Sequence, residues 1–304
     1  MDTAERELFT AALRQAAASP AFEQGLEDMG WADALADDRR TAVATLFEIQ
    51  GDHDVTSTAL DTVIATALGL DKLGLDGRIV LPAVGGHAAP GTVDGNRLCV
   101  RGVCRGTPAG DVIAVTAAGY QVLQDVRMRP IAGMAPSLDL VEVSADVALD
   151  IAGPADWSAG VAAAHLALAH ELVGTSRAML RLAREHALER EQFGRPIASF
   201  QAVRHRLAEA LIAVEAAQAA ADAAWLAPGT EILAKAVAGR SARIVARHAQ
   251  QVLAGMGFTT EHPFHRYLRR ALLLDGLFGS SRTLARDVAT EVLRTKRLPQ
   301  PIPL

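Results

Sequence analysis

The chain has 304 residues, 30 Lys and Arg against 35 Asp and Glu, and a formal charge of −5. Half of its residues are hydrophobic, which excludes an intrinsically disordered chain. Aromatics are only 4%, and with an acidic balance this removes both the electrostatic footprint and the stacking platforms of a nucleic-acid binder. The core must therefore be built from Ala, Leu and Val, and Ala is the best helix former.

The N-terminal region, residues 1–75, reads as short helices. Apolar residues fall at helical spacing over 41–49. A second helix is predicted over 55–70, with Leu60, Val63, Ile64, Ala67 and Leu68 on one face and Gly69 and Gly74 as stop signals. Over residues 76–152 glycine, proline and β-branched residues take over. Strands are predicted at 78–81, 97–100, 111–115 and 120–123, separated by turn signals such as Val93-Asp94-Gly95-Asn96. From residue 153 to 304 the pattern is helical. Asp156 or Ser158 is expected to cap a helix reaching Arg190, and Ser199 one reaching Trp225 after the Phe193-Gly194-Arg195-Pro196 breaker. After Pro228-Gly229 a third helix is predicted over 230–254, ended by Gly255 and Gly257, then shorter ones over 264–274 and 281–297 and an extended proline-rich tail over 299–303. The expected fold class is α+β, mainly α: a helical region, a small antiparallel β domain and an up-and-down helical bundle.

The two cysteines, Cys99 and Cys104, cannot make a disulfide framework or a four-ligand zinc site, and read as reduced thiols. His262, His265 and Arg266 cluster without carboxylate or thiolate company, so no metal site is predicted. The acidic N-terminus has no secretory pattern, and no apolar run approaches the ~20 residues that span a bilayer. A cytoplasmic protein that binds neither membrane nor nucleic acid is expected. Arg240, Arg243 and Arg247 repeat at helical spacing beside His248, either as a solvated face or as one that meets a phosphate or an acidic partner helix.

Two stretches stand out. Residues 190–201 place an arginine before a tight glycine–proline turn and a glutamine in the next helix. Residues 251–263 run from Gln251 at a helix end into a glycine-rich loop ending in Glu261 and Pro263. By spacing alone each is what a helical bundle needs at a corner. Neither matches a nucleotide-binding glycine fingerprint.

Together, in this order and about sixty residues apart, they resemble the signature of the acyl-CoA dehydrogenase family. The first stretch is Arg190-x-x-Phe193-Gly194-x-Pro196-Ile197-x-x-Phe200-Gln201. The second is Gln-x-x-Gly-Gly-x-Gly-Phe-x-x-Glu-x-Pro, with Ala254 in place of its first glycine. The resemblance is strong over residues 160–290. It implies a helical domain, a β domain and a four-helix bundle, with FAD shared between subunits. Arg190 resembles the arginine at the FAD diphosphate of a neighbouring subunit. Gln192, Phe193, Phe200 and Gln201 match positions around that cofactor, Gln251 to Gly255, with Ala254, match the segment approaching it from the partner side, and Ser280 to Arg282 match a segment touching it.

The family removes an α proton with a carboxylate while the β hydrogen leaves as hydride to the flavin. Here Phe278 stands at the usual glutamate position, and Ala164, followed by His165, stands at the alternative one. No catalytic base is therefore assigned. Asp275, one helical turn before Phe278, and His165 are weighed as substitutes, with Asp275 taken as the candidate; Glu261 fits a structural role better, and Arg269 and Arg270 are expected to pair structurally. The family's Thr-Glu-x-x-x-Gly-Ser-Asp and Trp-Ile-Thr segments, which hold the flavin ring, are missing, and the first helical region is short. The half-site given to a partner's FAD is thus kept while the chain's own half is degraded. That resembles the base-lacking subunit of bacterial α2β2 dehydrogenases acting on steroid-CoA. The implied partners are an acyl-CoA, a paralogous catalytic subunit in a heterotetramer, and an electron-transfer acceptor protein. A self-sufficient homo-oligomer with a displaced base, and a flavin-free scaffold, are the alternatives.

Overall fold

Local capping and alanine-rich faces organise the N-terminal third. The computed structural model describes residues 1–70, 77–108, 110–133 and 135–297. Helix α1 (Thr3–Ala17) opens with a capping box, in which Asp2 accepts from the Glu5 amide and Glu5 accepts from the Asp2 amide. Two short helices follow, α2 (Phe22–Asp28) and α3 (Trp31–Asp37). Asp38 then caps α4 (Arg39–His53) through the Thr41 amide. This helix overruns the predicted 41–49 at both ends. Asp54, in a left-handed conformation, stops it, so that α5 (Ala59–Leu68) starts later than predicted and ends on Gly69. The Gly74 stop signal lies outside the described residues.

The predicted strand at 78–81 serves two sheets. Its first half, β1 (Arg78–Ile79), pairs with β5 (Val112–Thr116), and its second half, β2 (Leu81–Pro82), pairs with β4 (Arg97–Arg105). The smaller sheet runs β1-β5-β6, where β6 is Gly119–Leu123. The larger runs β2-β4-β8-β7, where β7 is Arg127–Pro130 and β8 is Leu140–Ala148. Among the described strands every pair is antiparallel except β1–β5, a two-residue parallel contact made possible by the switch at Val80. The turn at 93–96 is the tip of a hairpin. Strand β3 (Gly91–Asp94) pairs with β4 up to Asp94 opposite Arg97, leaving Gly95-Asn96 as a two-residue loop.

The third part is built on α6 (Trp157–Glu189), capped by Asp156 through the Ser158 and Ala159 amides. A short hairpin, β9 (Glu191–Gln192) with β10 (Arg195–Pro196), leads into α7 (Gln201–Ala224). Helices α8 (Glu231–Leu253), α9 (Phe264–Gly276) and α10 (Ser281–Thr295) complete it. Ser199 does not cap α7. Residues 197–199 form a separate 3-10 turn after Pro196, so the helix begins at Gln201 behind Phe200, and the Ser199 hydroxyl is buried with no partner among the described residues. Residues 298–304, including the predicted extended tail, lie outside the described residues.

The N-terminal helices join the bundle by backbone contact. A Cβ on Gly174 of α6 would lie 2.0 Å from the Glu48 carbonyl oxygen, and one on Gly51 of α4 would lie 2.2 Å from that of Glu171. Only glycine permits this approach. Buried charges fasten the same junction. Arg105 of β4 donates to both Glu171 oxygens at 2.9 and 3.1 Å, and Arg270 of α9 pairs with Glu171 and Asp54. Arg270 also donates to the Val55 carbonyl, and the more exposed Arg266 reaches Asp54 at 2.7 Å. Of the two arginines expected to pair structurally, Arg270 does so and Arg269 lies exposed.

Candidate functional site

Because α7 runs antiparallel to α6 and α8, the C-terminal ends of α6 and α8 share one end of the bundle with the start of α7. Cross-helix bonds fix this arrangement: Arg177 to Gln218 and Trp225 to His170 tie α6 to the far part of α7, and Arg206 lies 3.4 Å from His248 of α8. This end gathers eight of the predicted site residues: Arg190, Gln192, Phe193, Phe200, Gln201, Gln251, Ala254 and Gly255.

Here the chain presents its side chains outward. Arg190 is exposed at the end of α6, its amide bonded to His186 and its carbonyl to the Ile197 amide. Phe193 and Gly194 both take positive φ at the hairpin tip, and the Phe193 ring is 90% exposed. Phe200 meets it edge-on at 6.1 Å, with the Arg195 guanidinium 4.4 Å from the Phe200 ring centre. Gln192, Gln201 and Gln251 are exposed. At the end of α8, Ala254 adopts φ 49 and ψ −129, a conformation suited to glycine. Gly255 has open space where a side chain would stand, and Phe258 beyond it is 79% exposed.

The remaining predicted residues, Asp275, Phe278, Ser280 and Arg282, lie at the other end of α6. His165 touches Phe278, and 25 residues of α6 separate it from Arg190, about 37 Å at 1.5 Å per residue. One chain does not bring the two groups together.

This second end is closed. Phe278 takes φ 55 and is fully buried, stacked on Trp157 at 5.8 Å and edge-on to His165. Burial pulls the His165 pKa down to about 4, so the ring is neutral at pH 7 and its Nε2–H donates to the Phe278 carbonyl at 2.9 Å. Ala164 is buried in the α6 core. Asp275 is 1% exposed. One of its oxygens accepts from the Ser281 amide and the other from Arg243 at 2.7 Å. Both oxygens are engaged and shielded, so Asp275 anchors the start of α10 and is not placed to take a substrate proton. Lys235 donates to the carbonyls of Asp275 and Gly279, and burial lowers its pKa to about 8. From the β side, the Gly85 amide donates to the Gly276 carbonyl and the Trp157 indole donates to His87. Ser280 caps α10 through the Thr283 amide, and Arg282 points outward.

Sequence reasoning passed over Trp157, Lys235 and His87. Trp157 had a signal, as a rare aromatic beside a helix cap; Lys235 reads as any lysine on an amphipathic helix. Of the arginine stripe, Arg243 serves Asp275 and Arg240 and Arg247 are exposed. His248 pairs with Glu209, and Glu261 is exposed. His262 accepts from the Phe264 amide, and His265 bonds to the His262 carbonyl. Both cysteines are free thiols, and burial pushes that of Cys104 up to about 12. Among the described residues no helix is long and apolar enough to cross a membrane.

Comparison with known proteins bears on these elements. Residues 158–293 match the family described as acyl-CoA dehydrogenase, C-terminal domain. The acyl-CoA dehydrogenase FadE34 of Mycobacterium tuberculosis is 36% identical over 262 residues, covering 79% of this chain and 34% of the relative. The acyl-CoA dehydrogenase IpdE2 of the same organism is 32% identical over 195 residues, covering 62% of this chain and 59% of the relative. The chain thus spans about a third and about three fifths of these two curated relatives. Two solved structures share the fold over nearly their whole length. A Tcur3481-Tcur3483 steroid ACAD has a TM-score of 0.76 at 21% identity, covering 96% of this chain and 98% of that one. The ChsE4-ChsE5 complex from Mycobacterium tuberculosis has a TM-score of 0.72 at 19% identity, with the same coverage.

Proposed function

This chain belongs to the acyl-CoA dehydrogenase family through its C-terminal helical domain, and on that premise we propose that it is the non-catalytic subunit of a heteromeric, FAD-dependent acyl-CoA desaturase. One observation carries the reading. The bundle end bearing Arg190 and the glycine-rich loop is open and outward-facing, whereas the turn where the family places its base is sealed around Phe278.

FAD, the cofactor of the family, accepts hydride from the acyl thioester when bound. The residues of this chain fit one half of its site. Arg190 offers a guanidinium to the diphosphate without first leaving a carboxylate partner among the described residues. Gln192, Gln201 and Gln251 supply amides that both donate and accept. Phe193 and Phe200 cover apolar surface and exclude water, and Gly255 leaves room for close approach. The other half does not fit: Phe278 fills its base position with carbon, and Asp275 is committed to Arg243. The base and the ring-holding loops then come from a paralogous subunit, which also receives the acyl-CoA and passes electrons to an acceptor protein. The two named structural relatives carry paired names, which supports a chain that works beside another. A steroid-type acyl-CoA is the proposed substrate class, and the cytoplasm the proposed location.

The test is flavin content by visible absorbance. The chain purified alone is expected to be colourless. Co-purified with a paralogous subunit, it is expected to be yellow at about one FAD per pair, with desaturation of an acyl-CoA only in the pair. One FAD per chain in the isolated protein would replace this reading with a homo-oligomer. No flavin in either form would leave a scaffold.

A further inference from the structure

Three histidines meet beside the glycine-rich loop of the open end. His186 stands in the last turn of α6, and its carbonyl accepts from the Arg190 amide. His262 ends the loop just before α9, and His265 lies in the first turn of that helix. All three are half-buried, and both of the others act on His262 as like charges. The histidines that meet a carboxylate among the described residues are His53, His87, His170 and His248, so this cluster has no such partner. Around it, Glu261 is exposed, Arg266 is committed to Asp54, and Glu189 and Arg190 act on His186 in opposite directions.

Hydrogen bonds decide what a proton would do here. The residue that precedes α9 is Pro263, whose side chain cannot accept a bond. The Phe264 amide, one of the free donors of the helix start, instead donates to His262 Nδ1 at 3.2 Å. An accepting Nδ1 assigns the neutral ring's proton to Nε2, so a second proton can go only to Nδ1. That proton removes the acceptor, strands the Phe264 amide and sets a positive charge at the positive end of α9. His265 behaves differently. Its Nδ1–H donates to the His262 carbonyl at 2.8 Å, so its Nε2 can take a proton without losing that bond. It adds charge and breaks nothing. Burial, followed by His186 and His265, lowers the His262 pKa, and burial followed by Arg190 lowers that of His186. With the folded values below the unfolded one of about 6.5, the stability these rings contribute is fully present above about 6.5. It is lost as pH falls from there through the folded values.

We infer that His262 is an acid-sensitive latch on the open end: its protonation releases the start of α9 and, through repulsion from His186 and His265, parts the glycine-rich loop from the end of α6. The buried Phe264 ring anchors the far end of that loop, and the stranded amide is its own. Arg190 and the loop are the two sides of one half-site, and the latch lies where they meet. That flavin retention follows the latch rests on the proposed function; the parting of the loop does not.

The experiment uses the full chain without partner or flavin. Hydrogen exchange read by mass spectrometry, corrected for intrinsic rates, is compared at pH 7.5 and pH 5.0, and the histidine Cε1–H resonances are titrated over the same range. Residues 255–266 are expected to lose protection about tenfold at the lower pH, while the middle of α6 and α8 keeps it. H262N retains an oxygen that can accept from the Phe264 amide but cannot be protonated, so its protection should stay within about twofold at both pH values. In H186Q the His262 resonance should titrate at higher pH than in the parent, because a like charge has gone. Unchanged protection of residues 255–266 in the parent, an equal loss in H262N, or a His262 ring that stays neutral down to pH 5.0 would overturn the inference. The resonance titration is made on the parent chain, so it decides even if H262N fails to fold. In the co-purified pair, parental flavin should be lost at pH 5.0 and held in H262N. A latch that opens in the isolated chain while the pair holds no flavin at either pH would count against the heteromer and leave the latch standing.

Discussion

The two ends of α6 have been put to opposite uses. At its start Trp157, His165 and Phe278 close into a packed cluster, and the carbonyls of Asp275, Gly276, Phe278 and Gly279 all accept bonds from other elements. At its finish Arg190, Phe193 and three glutamines face outward with little of the chain's own structure to satisfy them. The same helix thus joins a region that contributes stability to one that contributes a surface. A protein that did chemistry by itself would need the first end open. A protein that completes another's site needs only the second.

The largest effect should come from opening the closed end. Phe278→Ala removes a fully buried ring from between Trp157 and His165 and leaves a cavity. It is expected to cost about 3–5 kcal/mol in denaturant unfolding. Flavin content of the co-purified pair should stay at the parental level wherever the variant remains folded. A variant that lost flavin while keeping its stability would break the contrast between the ends, because it would make Phe278 part of a working site.

Arg190→Gln probes the open end. The residue is exposed, so the melting temperature should not move. Loss of one charge-assisted contact of about 1.5–3 kcal/mol should weaken flavin retention in the pair roughly 10- to 100-fold, read from absorbance after dialysis. Unchanged retention would mean that the outward arginine serves the surface and not a cofactor.

How much of this was legible in the sequence depends on the range of the interaction. Asp156 as the cap of α6 and the glycine–proline corner after Arg190 are local, and local chemistry is visible in a row of residues. β8 also carried a readable alternation, Leu140-Val141-Glu142-Val143-Ser144, which went unused, whereas β7 is exposed throughout and has no hydrophobic period to detect. The predicted start of α7 failed because two local signals competed, a capping serine and a 3-10 turn following proline. The buried cluster of Arg105, Glu171 and Arg270 was invisible for a different reason. Its members lie 66 and 99 residues apart, and each alone looks like a surface charge. The same holds for Asp275: its spacing from Phe278 suggested a base, and only the fold revealed Arg243 and the α10 amide beside it.

Between the two ends, the junction of α5 with β1 offers a titration. Burial raises the Asp61 pKa to about 6, although Arg78 and the Ile79 amide oppose the shift. With the folded value above the unfolded one, this carboxyl's contribution is fully present below the unfolded pKa of about 4 and is lost as pH rises through about 6. Relative to Asp61→Asn, the parent chain is expected to gain about 1 kcal/mol of stability between pH 7 and pH 5, measured by urea unfolding at both values. Parallel pH profiles for the two proteins would show that the Arg78 pair fully offsets the burial.

The smallest expected effect separates strain from function at the open end. Ala254 holds φ 49 and ψ −129, where its Cβ crowds the backbone and glycine would not. Conformational strain of about 1–3 kcal/mol is relieved in Ala254→Gly, but the unfolded chain gains about 0.5–1 kcal/mol of entropy, so the net stabilisation should lie between about 0 and 2.5 kcal/mol, near 1 kcal/mol at mid-range. Ala254 is exposed, so no core repacking obscures the comparison. If the outward loop only needs that backbone shape, flavin retention in the pair should be unchanged or slightly improved. If retention falls while stability rises, the alanine methyl itself makes a contact across the subunit boundary, and the open end is shaped by its side chain as well as by its backbone.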